Sequence, residues 1–153
     1  MAGDRFVYVV YIKTTAEKLW RALIEPEFTR QYWVQSAQES TWEIGSSWRL
    51  VDPDGRLCDA GEVLEFDPPR RLAVSWRNEL FPEAKAEGFS RMSYDLEPRS
   101  DAVKLTVIHE IDKPKSELIA KVSNGWPAIL SSLKSLLETG EALEETRRWP
   151  KRL

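Results

Sequence analysis

Near the C-terminal end the chain carries a helical stripe that cannot stand alone. In Gly125-Trp126-Pro127-Ala128-Ile129-Leu130-Ser131-Ser132-Leu133-Lys134-Ser135-Leu136-Leu137-Glu138, apolar residues fall at 126, 129, 130, 133, 136 and 137. This i, i+3, i+4, i+7 spacing gathers them on one face of an α-helix. Such a face has to lie on something apolar. Gly140 is a natural stop for the helix. Upstream, Ser116 to Val122 read as a further turn or two capped by Ser116, and Pro127 either kinks one continuous helix or begins a new one at its first position.

The surface the stripe needs lies in the middle of the chain. From 38 to 111 the apolar period falls to two and turn signals recur, which argues for antiparallel strands rather than βαβ units. Strands are expected near 39–44, 47–52, 57–66, 71–77, 89–97 and 102–111. Asp52-Pro53-Asp54-Gly55 is a turn in which proline presets one φ and glycine frees another. Residues 78–88 are the longest irregular stretch, a candidate lid or rim. Ahead of the sheet, RFVYVVYI at 5–12 reads as a strand covered at least partly on both faces. Thr14-Thr15-Ala16-Glu17 reads as a capping box opening a helix with a Leu19, Trp20, Leu23, Ile24 stripe, which Pro26 stops. Phe28, Tyr32 and Trp33 then share the buried side of a short second helix.

This order predicts an α+β fold: a curved antiparallel sheet of about six to seven strands, two short helices after the first strand, and the long C-terminal helix in the concave face. Helix and sheet lined by large rings leave a pocket between them. Seven tryptophans in 153 residues need a generous core or a cavity to line. The cavity candidates are Trp33, Trp48, Trp76, Met92, Tyr94, His109, Trp126 and Leu130. Trp126 leads because it opens the gripping segment next to Pro127. His109, the only histidine, is in strand register with Leu105, Val107 and Ile111. Its three readings are a hydrogen-bonded core histidine, a group that orients a ligand, and a general acid or base.

The remaining features mostly exclude. The length suits a single domain over 1–153, with 141–153 a flexible basic tail around Arg147, Arg148, Lys151 and Arg152. A formal charge of −3 from 22 basic and 25 acidic residues offers no broad positive face for nucleic acid. No apolar run is long enough to span a membrane, and the first twelve residues carry no targeting signal. Cys58 is the only cysteine, so a reducing cytoplasm fits, and the neighbouring Asp59 disfavours its thiolate. There is no nucleophile motif, no metal-ligand spacing and no phosphate loop. The expectation is therefore no cofactor, no metal and no catalytic residue.

The blocks YIKTTAEKLWRALIEPEFTRQYW, GEVLEFDPPRRLAVSW, KLTVIHE and GWPAILSSLKSLLETG, in that order, resemble the bacterial family similar to the C-terminal domain of activators of the heat-shock protein 90 ATPase. That family lies within the SRPBCC or START-like superfamily. The resemblance covers about 5–140 and implies a helix-grip fold with a cavity under the C-terminal helix. The superfamily spans hydrophobic-ligand carriers, polyketide cyclases, ring-hydroxylase subunits and co-chaperone domains. The expected activity is binding of a small apolar molecule. The alternatives are a stress-response or co-chaperone-like module acting on a chaperone or other protein, and a cyclase- or hydrolase-like enzyme using His109. Both monomer and homodimer remain open.

Overall fold

The computed structural model describes residues 3–148. Its frame is one seven-stranded antiparallel sheet in the order β1-β7-β6-β5-β4-β3-β2. The strands are β1 (Asp4–Ile12), β2 (Ala37–Ser40), β3 (Ser47–Val51), β4 (Leu57–Asp67), β5 (Arg71–Asn78), β6 (Ser90–Pro98) and β7 (Val103–Ile111). Helices α1 (Ala16–Ile24) and α2 (Pro26–Tyr32) follow β1, and a short α3 (Pro82–Lys85) sits in the β5–β6 connection. The long α4 (Glu117–Thr139) packs on β1, β7 and α2, and α5 (Glu144–Arg147) closes the described chain.

Pairing in β1 and β7 fixes which side chains face the helix. Tyr8 lies opposite Val107 and Phe6 opposite His109, so Phe6, Tyr8, Val10 and Ile12 share the inner face with Leu105, Val107 and His109. Contrary to the expectation of cover on both faces, the outer face of β1 is largely open. Val7, Val9 and Tyr11 point away from the core and are 47%, 45% and 50% exposed. The strand is therefore half-buried despite being apolar on both sides.

Three local expectations also shift. The first helix is capped by Thr15, whose hydroxyl accepts from Lys18 N–H at 3.2 Å. With Thr15 rather than Thr14 at the cap, Glu17 becomes the second helical residue and cannot close a capping box. β2 ends at Ser40, short of the expected 39–44, because Ser40 Oγ and Ser46 Oγ accept from the backbone of Trp42 and Glu43 and turn the chain. Trp42 accordingly has a φ of +59°. Finally, α4 is one continuous helix running through Pro127, so Trp126 sits in its middle and does not open it.

The α4 termini are as the sequence implies. Ser116 Oγ accepts from Ile119 N–H at 3.1 Å, and Gly140 ends the helix at a φ of +90°. The start has a second tie from the β5–β6 connection. Glu87 accepts from Ser116 Oγ at 2.6 Å and from the N–H groups of Glu117 and Leu118 at 2.7 and 3.2 Å. A carboxylate at the positive end of the helix dipole is favourable. Beyond Gly140, Ala142 and Thr146 are buried, and the Thr146 carbonyl accepts from Val34 N–H at 2.8 Å. Residues 149–153 of the segment read as a basic tail, including Lys151 and Arg152, lie outside the described residues.

Close approach of β4 and β5 depends on Gly61. A Cβ there would stand 1.8 Å from the Ser75 carbonyl oxygen, an overlap that only strand separation can relieve. Gly61→Ala is expected to cost about 2 kcal/mol or more of unfolding free energy. A chemical denaturation curve with unchanged stability would contradict this packing.

Candidate functional site

Between α4 and the β3–β5 part of the sheet lies a cleft of about 160 Å³. Its walls are Trp33 at the end of α2, Trp76 on β5, Trp126 on α4 and Phe81 just before α3, with Asp59 and Gly125 also on its surface. Cross-strand register brings its sheet side together, because Asp59 on β4 pairs with Leu50 on β3 and with Asn78 on β5. The stretch 78–88, read as a rim, contributes Asn78 and Phe81 to this mouth. Larger surface hollows, up to about 530 Å³ beside Arg5, Phe89 and Glu110, include none of these indoles.

The indoles form one cluster. Ring centroids of Trp33 and Trp126 are 5.3 Å apart, those of Trp76 and Trp126 5.8 Å, and those of Trp33 and Trp76 6.3 Å. Trp48 stands 4.7 Å behind Trp76. Three buried indole N–H groups each have an acceptor. Trp48 donates to Gln38 Oε1 at 2.9 Å, Trp76 to Asp59 Oδ1 at 2.8 Å, and Trp126 to His109 Nδ1 at 3.2 Å. Fixed rings with fixed polar edges leave little freedom for rearrangement.

His109 is fully buried, and its chemistry follows from its partners. An indole nitrogen can only donate, so Nδ1 must accept and the proton must sit on Nε2. That N–H faces Ser90 Oγ at 2.9 Å, and the Ser90 hydroxyl in turn donates to the Trp76 carbonyl at 2.8 Å. The relay thus joins α4, β7, β6 and β5 through a neutral imidazole. Burial pulls the His109 pKa down to about 3. Protonating Nδ1 would also set two N–H groups against each other.

Asp59 behaves in the opposite sense. Burial raises its pKa to about 7, against the lowering effect of its bonds from Trp76 and Asn78, and Glu79 adds a further upward push. Oδ1 takes both of those bonds, the second from Asn78 Nδ2 at 3.1 Å. Oδ2 has no hydrogen-bond or ion-pair partner among the described residues. Asn78 also orients the rim, because its Oδ1 accepts from the N–H groups of Leu80 and Phe81 at 3.0 and 2.8 Å.

Of the eight residues read from the sequence as cavity candidates, Trp33, Trp76 and Trp126 line the cleft. Trp48, Met92, Tyr94, His109 and Leu130 are buried behind it in the core. Tyr94 has its ring 6.0 Å from Trp126, and its hydroxyl lacks a partner among the described residues. Asp59, Phe81 and Gly125 were not singled out by the sequence. Cys58, next to Asp59, is held unreactive, its thiol pushed up to about 12 by burial and then by Asp59 and Asp52. Among the described residues no group of three or more His, Cys, Asp or Glu side chains could hold a metal ion, and no helix is long and apolar enough to cross a membrane.

A curved antiparallel sheet closed over one long helix, with a cleft between them, is the helix-grip architecture. The chain belongs to the Activator of Hsp90 ATPase homolog 1-like protein family, which it matches over residues 13–138. Solved structures agree on the fold. Protein MLL2253 from Mesorhizobium loti superposes with a TM-score of 0.74 at 22% identity, covering 88% of this chain and 97% of the other. DynU16, a protein in the dynemicin biosynthetic locus, gives 0.77 at 21% identity over 97% of this chain, which spans about half of that protein, 51%. The Aha1 dimer from Colwellia psychrerythraea gives 0.73 at 18% identity, covering 91% of this chain and 99% of the other. Among curated proteins none matches the chain.

The two buried titrating groups oppose each other in acid. His109 binds its proton more weakly folded than unfolded, so its contribution is intact above about pH 6.5 and is lost as pH falls toward 3. Asp59 binds its proton more tightly folded, so its contribution is intact below about pH 4 and is lost as pH rises through about 7. Asp59→Asn should therefore make stability fall more steeply between pH 7 and 4 than in the parent. Parallel curves from denaturation at a series of pH values would refute that assignment.

Proposed function

We propose that the chain binds a compact apolar ligand, about the size of one ring, in the cleft between α4 and the sheet. The observation that carries this is Gly125. It lies mid-helix, where glycine costs about 1 kcal/mol relative to alanine. Yet a Cβ built there meets nothing within 4 Å. No neighbour demands the missing side chain, and the space it leaves belongs to the cleft. The size follows from the volume. Drug-sized ligands occupy pockets of roughly 300 Å³ and more, whereas an apolar cavity of roughly 150 Å³ holds a benzene ring.

The reading is of a carrier or sensor rather than an enzyme. Both ring nitrogens of His109 are engaged behind Trp126, and the titratable groups that line the cleft are Asp59 and Lys121, the latter ion-paired with Glu83, so a cyclase- or hydrolase-like pair built on His109 has no histidine to draw on there. Family membership supports a second reading, a co-chaperone-like module that stimulates a heat-shock protein 90-type ATPase, with the exposed Val7, Val9 and Tyr11 face of β1 as contact surface. An unchanged ATPase rate at saturating protein would remove it. Self-association, as in the Colwellia dimer, is read from the native mass.

The cleft is tested with 2-phenylethanol, a neutral one-ring probe, followed through the indole N–H signals in ¹H–¹⁵N spectra. Saturable shifts of Trp33, Trp76 and Trp126 are expected. Gly125→Leu should abolish them with the fold retained, because its side chain occupies the cleft. Equal binding by parent and variant, or no shift at all, would overturn the reading. Tyr94→Phe should leave stability unchanged or raise it by up to about 2 kcal/mol, since it removes a buried hydroxyl with no partner; a clear loss of melting temperature would mean the hydroxyl is paired.

A further inference from the structure

Asp59 is the one acidic group among the residues that line the cleft, and its situation is unfinished. Its two neighbours that donate, Trp76 Nε1 and Asn78 Nδ2, are neutral, and both bond the same oxygen. A buried carboxylate is ordinarily paired with a cation or neutralised. The cations near it are committed elsewhere. Arg77 and Lys85 pair with Glu79 at 2.6 and 3.1 Å, and Lys121 on α4 pairs with Glu83 at 3.3 Å and lies 4.3 Å from the Phe81 ring centroid.

The opposite walls are indoles. Their faces attract cations, and removal of water strengthens that attraction. The cleft therefore combines an under-bonded carboxylate oxygen with three indoles in a space for one ring. A neutral ligand would satisfy the indoles and leave Oδ2 unpaired. An anion would meet Asp59 and the negative faces of the rings, while Lys121, the one cation lining the cleft, is already held by Glu83. A ligand carrying one ammonium group satisfies both features.

The geometry points to a protonated amine on a one-ring or similarly compact ligand, with its ammonium held by Asp59 Oδ2 and its apolar part against Trp33, Trp76 and Trp126. This assignment rests on the cleft-binding reading above. Binding of the cation draws Asp59 into its ionised form. Around neutral pH, where free Asp59 is partly protonated, complex formation releases a proton to solvent. Glu79 on the sheet side and Lys121 on the helix side are the other charged groups facing this corner, and each is already paired.

The test compares 2-phenylethylamine, 2-phenylethanol and phenylacetate, which share a ring, through the same indole signals at pH 8. The amine is expected to bind at least tenfold more tightly than the alcohol, with phenylacetate weakest. Asp59→Asn should erase the amine's advantage over the alcohol. From pH 8 to pH 6 the amine should weaken about tenfold in the parent, as Asp59 takes up its proton, while the alcohol does not change. Calorimetry at pH 7 in two buffers of different ionisation enthalpy should report about half a proton released per amine bound. This measurement and the pH series need no variant and decide the matter if Asp59→Asn does not fold. Equal affinity for amine and alcohol, preference for phenylacetate, or a pH-independent amine affinity without proton release would overturn the assignment while leaving the cleft a binding site. Absence of binding by all three would overturn the cleft reading and this inference together.

Discussion

The contact between Trp126 and His109 sets the geometry of everything around it. It is the bond by which the long helix reads the sheet. A stripe of leucines could slide or rotate on an apolar floor with little penalty, but an indole N–H with one acceptor cannot. Because Nδ1 must accept, the imidazole is locked in one tautomer, and Nε2–H passes the constraint through Ser90 to the Trp76 carbonyl. Helix rotation, ring orientation and strand β5 are thereby tied in one relay. The cost of burying a titratable ring is met by full pairing.

Around that relay the protein fills its interior with rings rather than aliphatic chains, and the filling is incomplete at one place. Trp33, Trp76 and Trp126 are too rigid to follow the missing side chain of Gly125, so a gap persists at the helix surface. Leucines and methionines would close such a gap by changing rotamer. Large rings, two of them with pinned N–H groups, keep it open. The carboxylate of Asp59 is stabilised within this apolar wall by holding the edge of one of those same rings.

The architecture was legible because its signals are local. Alternation in 38–111, the Asp52–Gly55 turn, Ser116 as a cap and Gly140 as a stop each follow from a few adjacent residues, and Gly55 does take a φ of +84°. One error arose where two neighbours compete for one role. Thr14 and Thr15 are equivalent in sequence, yet it is Thr15 that accepts from the helix backbone. The site was less legible. Inward-facing positions on β6 and β7 were found correctly from their period, but alternation says only that a residue faces the core. It does not say whether the residue borders a gap. Trp33, Trp76 and Trp126 do so, whereas Met92, Tyr94 and His109 lie behind them. Asp59 was invisible as a site residue because its importance depends on Trp76 and Asn78 across the β4–β5 pairing, far away in sequence.

The bonds that Glu87 makes to the start of α4 have a mechanical meaning. One carboxylate joins the connection that carries Phe81 and α3 to the first turn of the helix that carries Trp126. Mouth and back wall are therefore stitched together at one end, and neither can swing outward unless the stitch is cut. The opening resembles a fixed gauge more than a door. For the ligand proposed above, girth is tested at the threshold, before any chemistry inside is consulted.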